Sequence, residues 1–149
     1  MNKSKIINDP LYGFIPIKSE LVFRLLEHPF LQRMRHIRQL GLAELVYPGA
    51  IHTRFHHALG AVHLMQEALD ILRGKGVEIT DDESEAAQAA ILLHDVGHGP
   101  FSHALEETLL PHIRHESLSF LLMKDLNRQF TGKLDNAIRI FQNTYPKRF

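Results

Sequence analysis

No cysteine occurs among the 149 residues. Disulfides and thiolate metal sites are therefore excluded, and the composition fits a reducing compartment. Net charge is absent too: 17 lysines and arginines stand against 17 aspartates and glutamates. A balanced chain gives no electrostatic reason to expect a nucleic-acid or membrane partner. No apolar run approaches the roughly 20 residues needed to span a bilayer. Residues 1–8 lack the apolar stretch of a signal peptide. A cytoplasmic protein is expected. The apolar fraction of 44% and the charged fraction of 23% are ordinary for a globular protein. The length suffices for one domain with its own core.

What the chain has in excess is histidine, 11 residues. Histidine is the commonest metal ligand and the one side chain that titrates unperturbed near neutral pH. Most of the histidines fall in two short segments, 52–63 and 94–115. They form neither a tag-like run nor a random scatter.

Punctuation and periodicity predict an all-α domain. Asn8-Asp9-Pro10 and Gly13 are turn signals between short extended pieces, which suggests a small N-terminal hairpin. Ser19 is placed to cap a helix bearing Leu21, Val22, Leu25 and Leu26 on one face. Pro29 suits the first turn of the next helix, expected to reach about residue 40 and to end at Gly41. Phe30, Met34 and Ile37 are its apolar positions, and Arg33, Arg35 and Arg38 read as a solvated basic face. Leu59, Val62, Met65, Leu69 and Leu72 recur at helical spacing over 54–73. Asp81 and Asp82 are candidate caps for a helix that turns Ala86, Ala89, Ala90 and Leu93 inward, and Gly97, Gly99 and Pro100 break it. Three further helices are expected at about 103–110, 115–126 and 134–141.

His94-Asp95 carries the strongest chemical signal. The pair ends an apolar helical run and stands just before Gly97. Two adjacent ligating side chains are costly to bury without partners, and a divalent cation satisfies both. A mixed nitrogen and carboxylate set suits Mn, Fe, Ni, Co, Zn or Mg better than calcium. His57, at the start of a separate long helix, is the best third ligand. A lone His-Asp dipeptide would read as a satisfied core histidine beside a surface carboxylate. Here His98, His103 and His115 follow closely, and Gly97 and Gly99 allow close backbone approach.

At these residues the chain resembles the HD-domain phosphohydrolases, and within them the dNTP triphosphohydrolase branch. That branch includes bacterial dGTP triphosphohydrolases and the mammalian SAM-and-HD-domain dNTPase. The resemblance covers almost the whole chain. It rests on Ile7-Asn8-Asp9-Pro10, on the segment 32–41, on Tyr47-Pro48-Gly49-Ala50, on Arg54-Phe55-His56-His57-Ala58-Leu59-Gly60 and on the segment 94–103. It implies an HD-type helical bundle, a divalent cofactor on His57, His94 and Asp95, and cleavage of a deoxynucleoside triphosphate to nucleoside and tripolyphosphate. It implies Arg54 beside the substrate phosphates, Gln39 and Leu40 in the substrate pocket, and His98, His103 and His115 around the α-phosphate. Glu106 falls where the best-known members have an aspartate that orients the catalytic histidine. Relatives regulated by nucleotides place binding residues on Lys5, Asn8, Gln32 and Arg35 at subunit interfaces, which implies a nucleotide activator and a homo-oligomer. Glu27 stands for their usual aspartate. The family's fourth metal ligand is a downstream aspartate that nothing after Asp95 matches. Residues 1–149 are therefore expected to be the N-terminal portion of an HD domain, ending before that ligand.

Several roles have plainer alternatives. Arg54 lies three residues before His57, so on a helix both face one way, but a surface salt bridge also explains it. The spacing of His103 and Glu106 allows a carboxylate to hold a proton-donating imidazole, or merely an exposed pair. His98 and His115 read as hydrogen-bond donors to phosphate, His115 equally as a first-turn helix residue without a ligand. Gln39 contacts base or sugar, or caps the helix ending at Gly41. Two other functions stay open: another HD hydrolase (nucleoside monophosphatase or phosphodiesterase), and a nucleotide-binding module without catalysis.

Overall fold

The computed structural model describes residues 5–101, 104, 108 and 112–146. The chain opens with an antiparallel hairpin of β1 (Lys5–Asp9) and β2 (Gly13–Ile17), in register from Lys5 opposite Ile17 to Asp9 opposite Gly13. Asp9 makes the turn: its Oδ1 accepts from the N–H groups of Leu11 and Tyr12 at 2.9 and 3.0 Å. Strand alternation turns Ile15 and Ile17 into the core.

Six α-helices follow among the described residues. Ser19 caps α1 (Glu20–Glu27) by accepting from the Val22 N–H at 3.1 Å, and α1 buries Leu21, Val22, Leu25 and Leu26 as expected. The short α2 (Pro29–Gln32) is capped by the His28 imidazole, which accepts from the Phe30 N–H at 3.2 Å. The helix expected to reach residue 40 stops early. A 3₁₀ turn spans Arg33–His36, and Ile37 is extended, with φ −111° and ψ 115°. The cause is tertiary pairing. Gln39 N–H donates to the His52 carbonyl at 3.1 Å, and the Ile37 carbonyl accepts from Arg54 N–H at 2.9 Å. That second bond satisfies one of the exposed donors at the start of the next helix, a gain that continued helix over 37–40 would forfeit. Gly41, with φ 55°, opens a 3₁₀ turn (Gly41–Leu45) instead of closing an α-helix.

The long α3 (Arg54–Gly74) begins at Thr53, whose side chain and backbone pair with the His56 imidazole. α4 (Asp81–Leu93) is capped one residue before the expected caps. Thr80 Oγ1 accepts from Glu83 N–H and Glu83 returns the bond to Thr80 N–H. Asp81 and Asp82 sit instead in the first turn, where carboxylates favour the helix dipole. α5 (His115–Gln129) and α6 (Asp135–Phe141) complete the bundle. The helix expected at 103–110 lies outside the described residues except for Ala104 and Thr108. α4 is central and packs against α1, α3 and α6. The core is dominated by fully buried Leu25, Leu31, Met34, Leu59, Leu92, Leu93, Met123, Leu126 and Leu134. Among the described residues no helix is long and apolar enough to cross a membrane.

Leu126 is 0% exposed, so Leu126→Ala is expected to destabilise the fold by about 2–5 kcal/mol, read as a lower midpoint in urea unfolding.

Candidate metal centre

The packing of α3 on α4 sets the first turn of one helix beside the last turn of the other. Arg54 and His57 come from α3, and His94 and Asp95 follow the end of α4. The donor atoms converge. His57 Nε2 lies 3.3 Å from His94 Nε2 and 3.8 Å from Asp95 Oδ2, and His94 Nε2 lies 3.4 Å from Asp95 Oδ1. The His94 Nδ1–H donates to the Ile91 carbonyl at 2.6 Å, which leaves the Nε2 lone pair directed at the shared space. Nitrogens held about 2.0–2.1 Å from one ion lie roughly 2.8–3.4 Å from each other in tetrahedral or octahedral spheres. The separations from His94 Nε2, 3.3 Å to His57 and 3.4 Å to Asp95, match that spacing, and the nitrogen–carboxylate donor set fits a divalent cation.

Exposure falls steeply across the cluster: the side chains of His57 and His94 are 39% and 30% exposed, Asp95 12% and Arg54 4%. The ligands thus form a mouth over a buried ion pair, Arg54 Nη1 to Asp95 Oδ2 at 2.6 Å. The surface salt bridge considered for Arg54 is not what the fold makes. The pair is interior, where a missing partner would leave an uncompensated charge.

Behind this first set, Asp95, His98 and His115 have donor atoms within 4.8 Å of one another. His98 is 2% exposed and its ring stacks on His115 with centroids 3.7 Å apart and planes inclined by 17°. Gly97 makes this possible. A Cβ there would lie 2.3 Å from both the His115 carbonyl oxygen and the Ser119 nitrogen, so only glycine lets the turn rest on α5.

The remaining expected site residues distribute as follows. His103 and Glu106 lie outside the described residues. Leu40 is 38% exposed, and no helix ends at Gly41 for Gln39 to cap. The Gln39 Oε1 is buried with no hydrogen-bond partner among the described residues. The 39–41 segment lies against the chain beyond the HD pair, since a Cβ on Gly41 would sit 3.0 Å from the Phe101 carbonyl oxygen. Gln32 and Arg35 come together, Arg35 Nε donating to Gln32 Oε1 at 2.8 Å. With Glu27, Ile7, Phe23 and Phe55 they line a cavity of about 440 Å³. Lys5 reaches its rim, with Nζ 4.7 Å from the Phe23 ring centroid, while Asn8 pairs with Phe14 in the hairpin. A second cleft of about 750 Å³ opens beside His57, walled by Tyr12, Ile51, His56 and Leu64.

Sequence reading missed Arg33 and Ser119. Arg33, expected on a solvated face, donates to the carbonyls of Val96 and His98, and Ser119 Oγ accepts from Gly97 N–H at 2.8 Å. The only local signals were an arginine between apolar positions and a serine on the buried side of a helix. Neither is specific.

Burial, then the neighbouring His94, holds the His57 imidazole below its usual pKa of 6.5, against an opposing pull from Asp95. The unfolded chain therefore binds more protons than the metal-free fold just below pH 6.5. Stability from neutral His57 is fully present above that value and is lost as pH falls through the folded pKa. Metal-free protein is expected to melt lower at about pH 5.5 than at about pH 7.5. His57→Gln is expected to narrow that difference in scanning calorimetry.

Comparison with known proteins agrees with this geometry. The sequence pattern of the HD domain matches residues 54–145. The human deoxynucleoside triphosphate triphosphohydrolase is 42% identical over 114 residues, covering 75% of this chain and 18% of that protein. An uncharacterized protein of Bacillus subtilis is 37% identical over 120 residues, covering 80% of this chain and 27% of that protein. The crystal structure of a phosphohydrolase from Bacteroides thetaiotaomicron superposes with a TM-score of 0.95 at 54% identity, covering 99% of this chain and 36% of that one. The chain thus spans well under half the length of each of these relatives. With the matched region beginning at Arg54 and enclosing His57, His94 and Asp95, the chain belongs to the HD-domain family.

Proposed function

We propose that this chain carries the metal-binding site of a phosphohydrolase that acts on deoxynucleoside triphosphates and releases nucleoside and tripolyphosphate. The observation that carries the reading is the convergence of His57, His94 and Asp95 over the buried Arg54–Asp95 pair. The substrate class is supported by the human relative's designation as a deoxynucleoside triphosphate triphosphohydrolase.

A divalent cation bound by His57, His94 and Asp95 supplies Lewis-acid polarisation of a phosphoryl oxygen. The chain's own residues supply the rest. Arg54 pairs with the Asp95 carboxylate and adds positive charge at the floor of the site, where it attracts a polyphosphate. The stacked His98 and His115 stand one step from the ligands and hydrogen-bond the α-phosphate. His103, oriented by Glu106, gives a proton to the leaving oxygen. Gln39 and Leu40 line the sugar and base pocket, and the buried Gln39 Oε1, without a hydrogen-bond partner among the described residues, is an acceptor that such a ligand satisfies. Lys5, Asn8, Gln32 and Arg35 bind an activating nucleotide between subunits of a homo-oligomer.

Incubation with Mn²⁺ and a deoxynucleoside triphosphate, followed by ion chromatography, tests the reading. Tripolyphosphate is the expected product, and His94→Ala is expected to lose both bound metal and turnover, because two remaining ligands hold the ion poorly. Release of monophosphate instead would identify a different HD hydrolase, and calorimetric binding without any product would identify a nucleotide-binding module.

A further inference from the structure

The turn 96–98 joins the ligand Asp95 to the histidine stack. Val96 is 0% and His98 2% exposed. Backbone polar groups buried to this degree need partners. Two are local: Val96 N–H donates to the Leu93 carbonyl and His98 N–H to the Asp95 carbonyl, each at 3.1 Å. Three are met by side chains from distant parts of the chain. Arg33 Nη1 donates to the His98 carbonyl at 2.8 Å, and Arg33 Nη2 to the Val96 carbonyl. Ser119 Oγ, fully buried on α5, accepts from the Gly97 N–H at 2.8 Å.

The turn is therefore gripped from two sides. On one, a planar guanidinium spans two carbonyls two residues apart, which its rigid fork can do and a lysine ammonium does less well. On the other, Gly97 presses against α5 so closely that no Cβ fits. Burial also holds the Arg33 guanidinium below its usual pKa, and the carbonyls of Val96 and His98 accept from it in place of water. Arg33 itself is held by the 3₁₀ turn that follows α2, anchored by fully buried Leu31 and Met34.

We propose that Arg33 and Ser119 are positioning residues of the metal centre, which clamp the 96–98 turn so that Asp95 faces His57 and His94 while His98 stacks on His115. The inference rests on the reading of His57, His94 and Asp95 as the cation site. Neither residue touches the cation; each acts by orienting a ligand that does. Partners of this kind alter metal affinity by about 10- to 100-fold when removed.

The test uses Co²⁺, whose affinity is read by calorimetry and whose coordination is read by its visible absorption. The parent chain binds Co²⁺ and His94→Ala does not; failure of this first arm removes the metal-site reading itself. Arg33→Gln and Ser119→Ala are each expected to weaken Co²⁺ binding by about tenfold or more and to change the absorption band. Arg33→Lys, which keeps the charge and reaches one carbonyl at a time, is expected to fall between Arg33→Gln and the parent. Leu126→Ala, which destabilises the core away from the turn, is expected to bind Co²⁺ like the parent. Parent-like affinity and spectrum in Arg33→Gln and Ser119→Ala, with His94→Ala inactive in binding, overturn the clamp while leaving the metal site standing. Should Arg33→Gln fail to fold, Ser119→Ala decides the question alone, since it deletes only one hydroxyl.

Discussion

The buried contact between Arg54 and Asp95 is the constraint around which the rest of the molecule is arranged. An interior ion pair repays its desolvation only when geometry is good and both partners are held in place. Here the partners come from residues 41 positions apart, joined at 2.6 Å. Arg54 is held because α3 starts at that residue, with its N–H bonded to the Ile37 carbonyl. Asp95 is held because the turn that follows it is bonded on both sides. Loosening either end would leave a charge in a poorly solvated place.

That pair also explains the polarity of the centre. Buried charge lies beneath and the partly exposed imidazoles of His57 and His94 lie above. Burial, then the neighbouring His94, keeps the neutral form of His57 favoured, which is the form in which an imidazole binds a divalent cation. The helices are anchored by an aliphatic core, so His57 projects from a rigid helix and His94 and Asp95 from the turn that directly follows one. The stacked pair of His98 and His115 extends the polar layer towards α5.

How much of this was legible beforehand differs from element to element. Ser19 as a cap, the inward face of Leu21, Val22, Leu25 and Leu26, and the alanine-rich buried stripe of α4 could be read because caps and periodicity are local properties. The HD pair and His57 stood out by chemistry and by a long motif resemblance. The stretch 33–40 was misread as helix because its competitor, pairing with residues 52–54, is remote in sequence. Arg33 and Ser119 were overlooked for the same reason: nothing near them signals a carbonyl or an amide that is 65 or 22 positions away.

The amino-acid order by itself determined that the chain is helical, that it opens with a hairpin, and which residues are chemically able to bind a cation. Hydrogen-bonding capacity, side-chain pattern and ligand type are properties of each residue and its near neighbours. Only tertiary packing decided that two imidazole nitrogens would stand 3.3 Å apart, that Arg54 would be interior, and that the basic segment after α2 would brace the ligand turn. Those outcomes depend on contacts between distant segments, where the penalty for leaving a buried polar group unpaired selects one arrangement from many that local preferences allow.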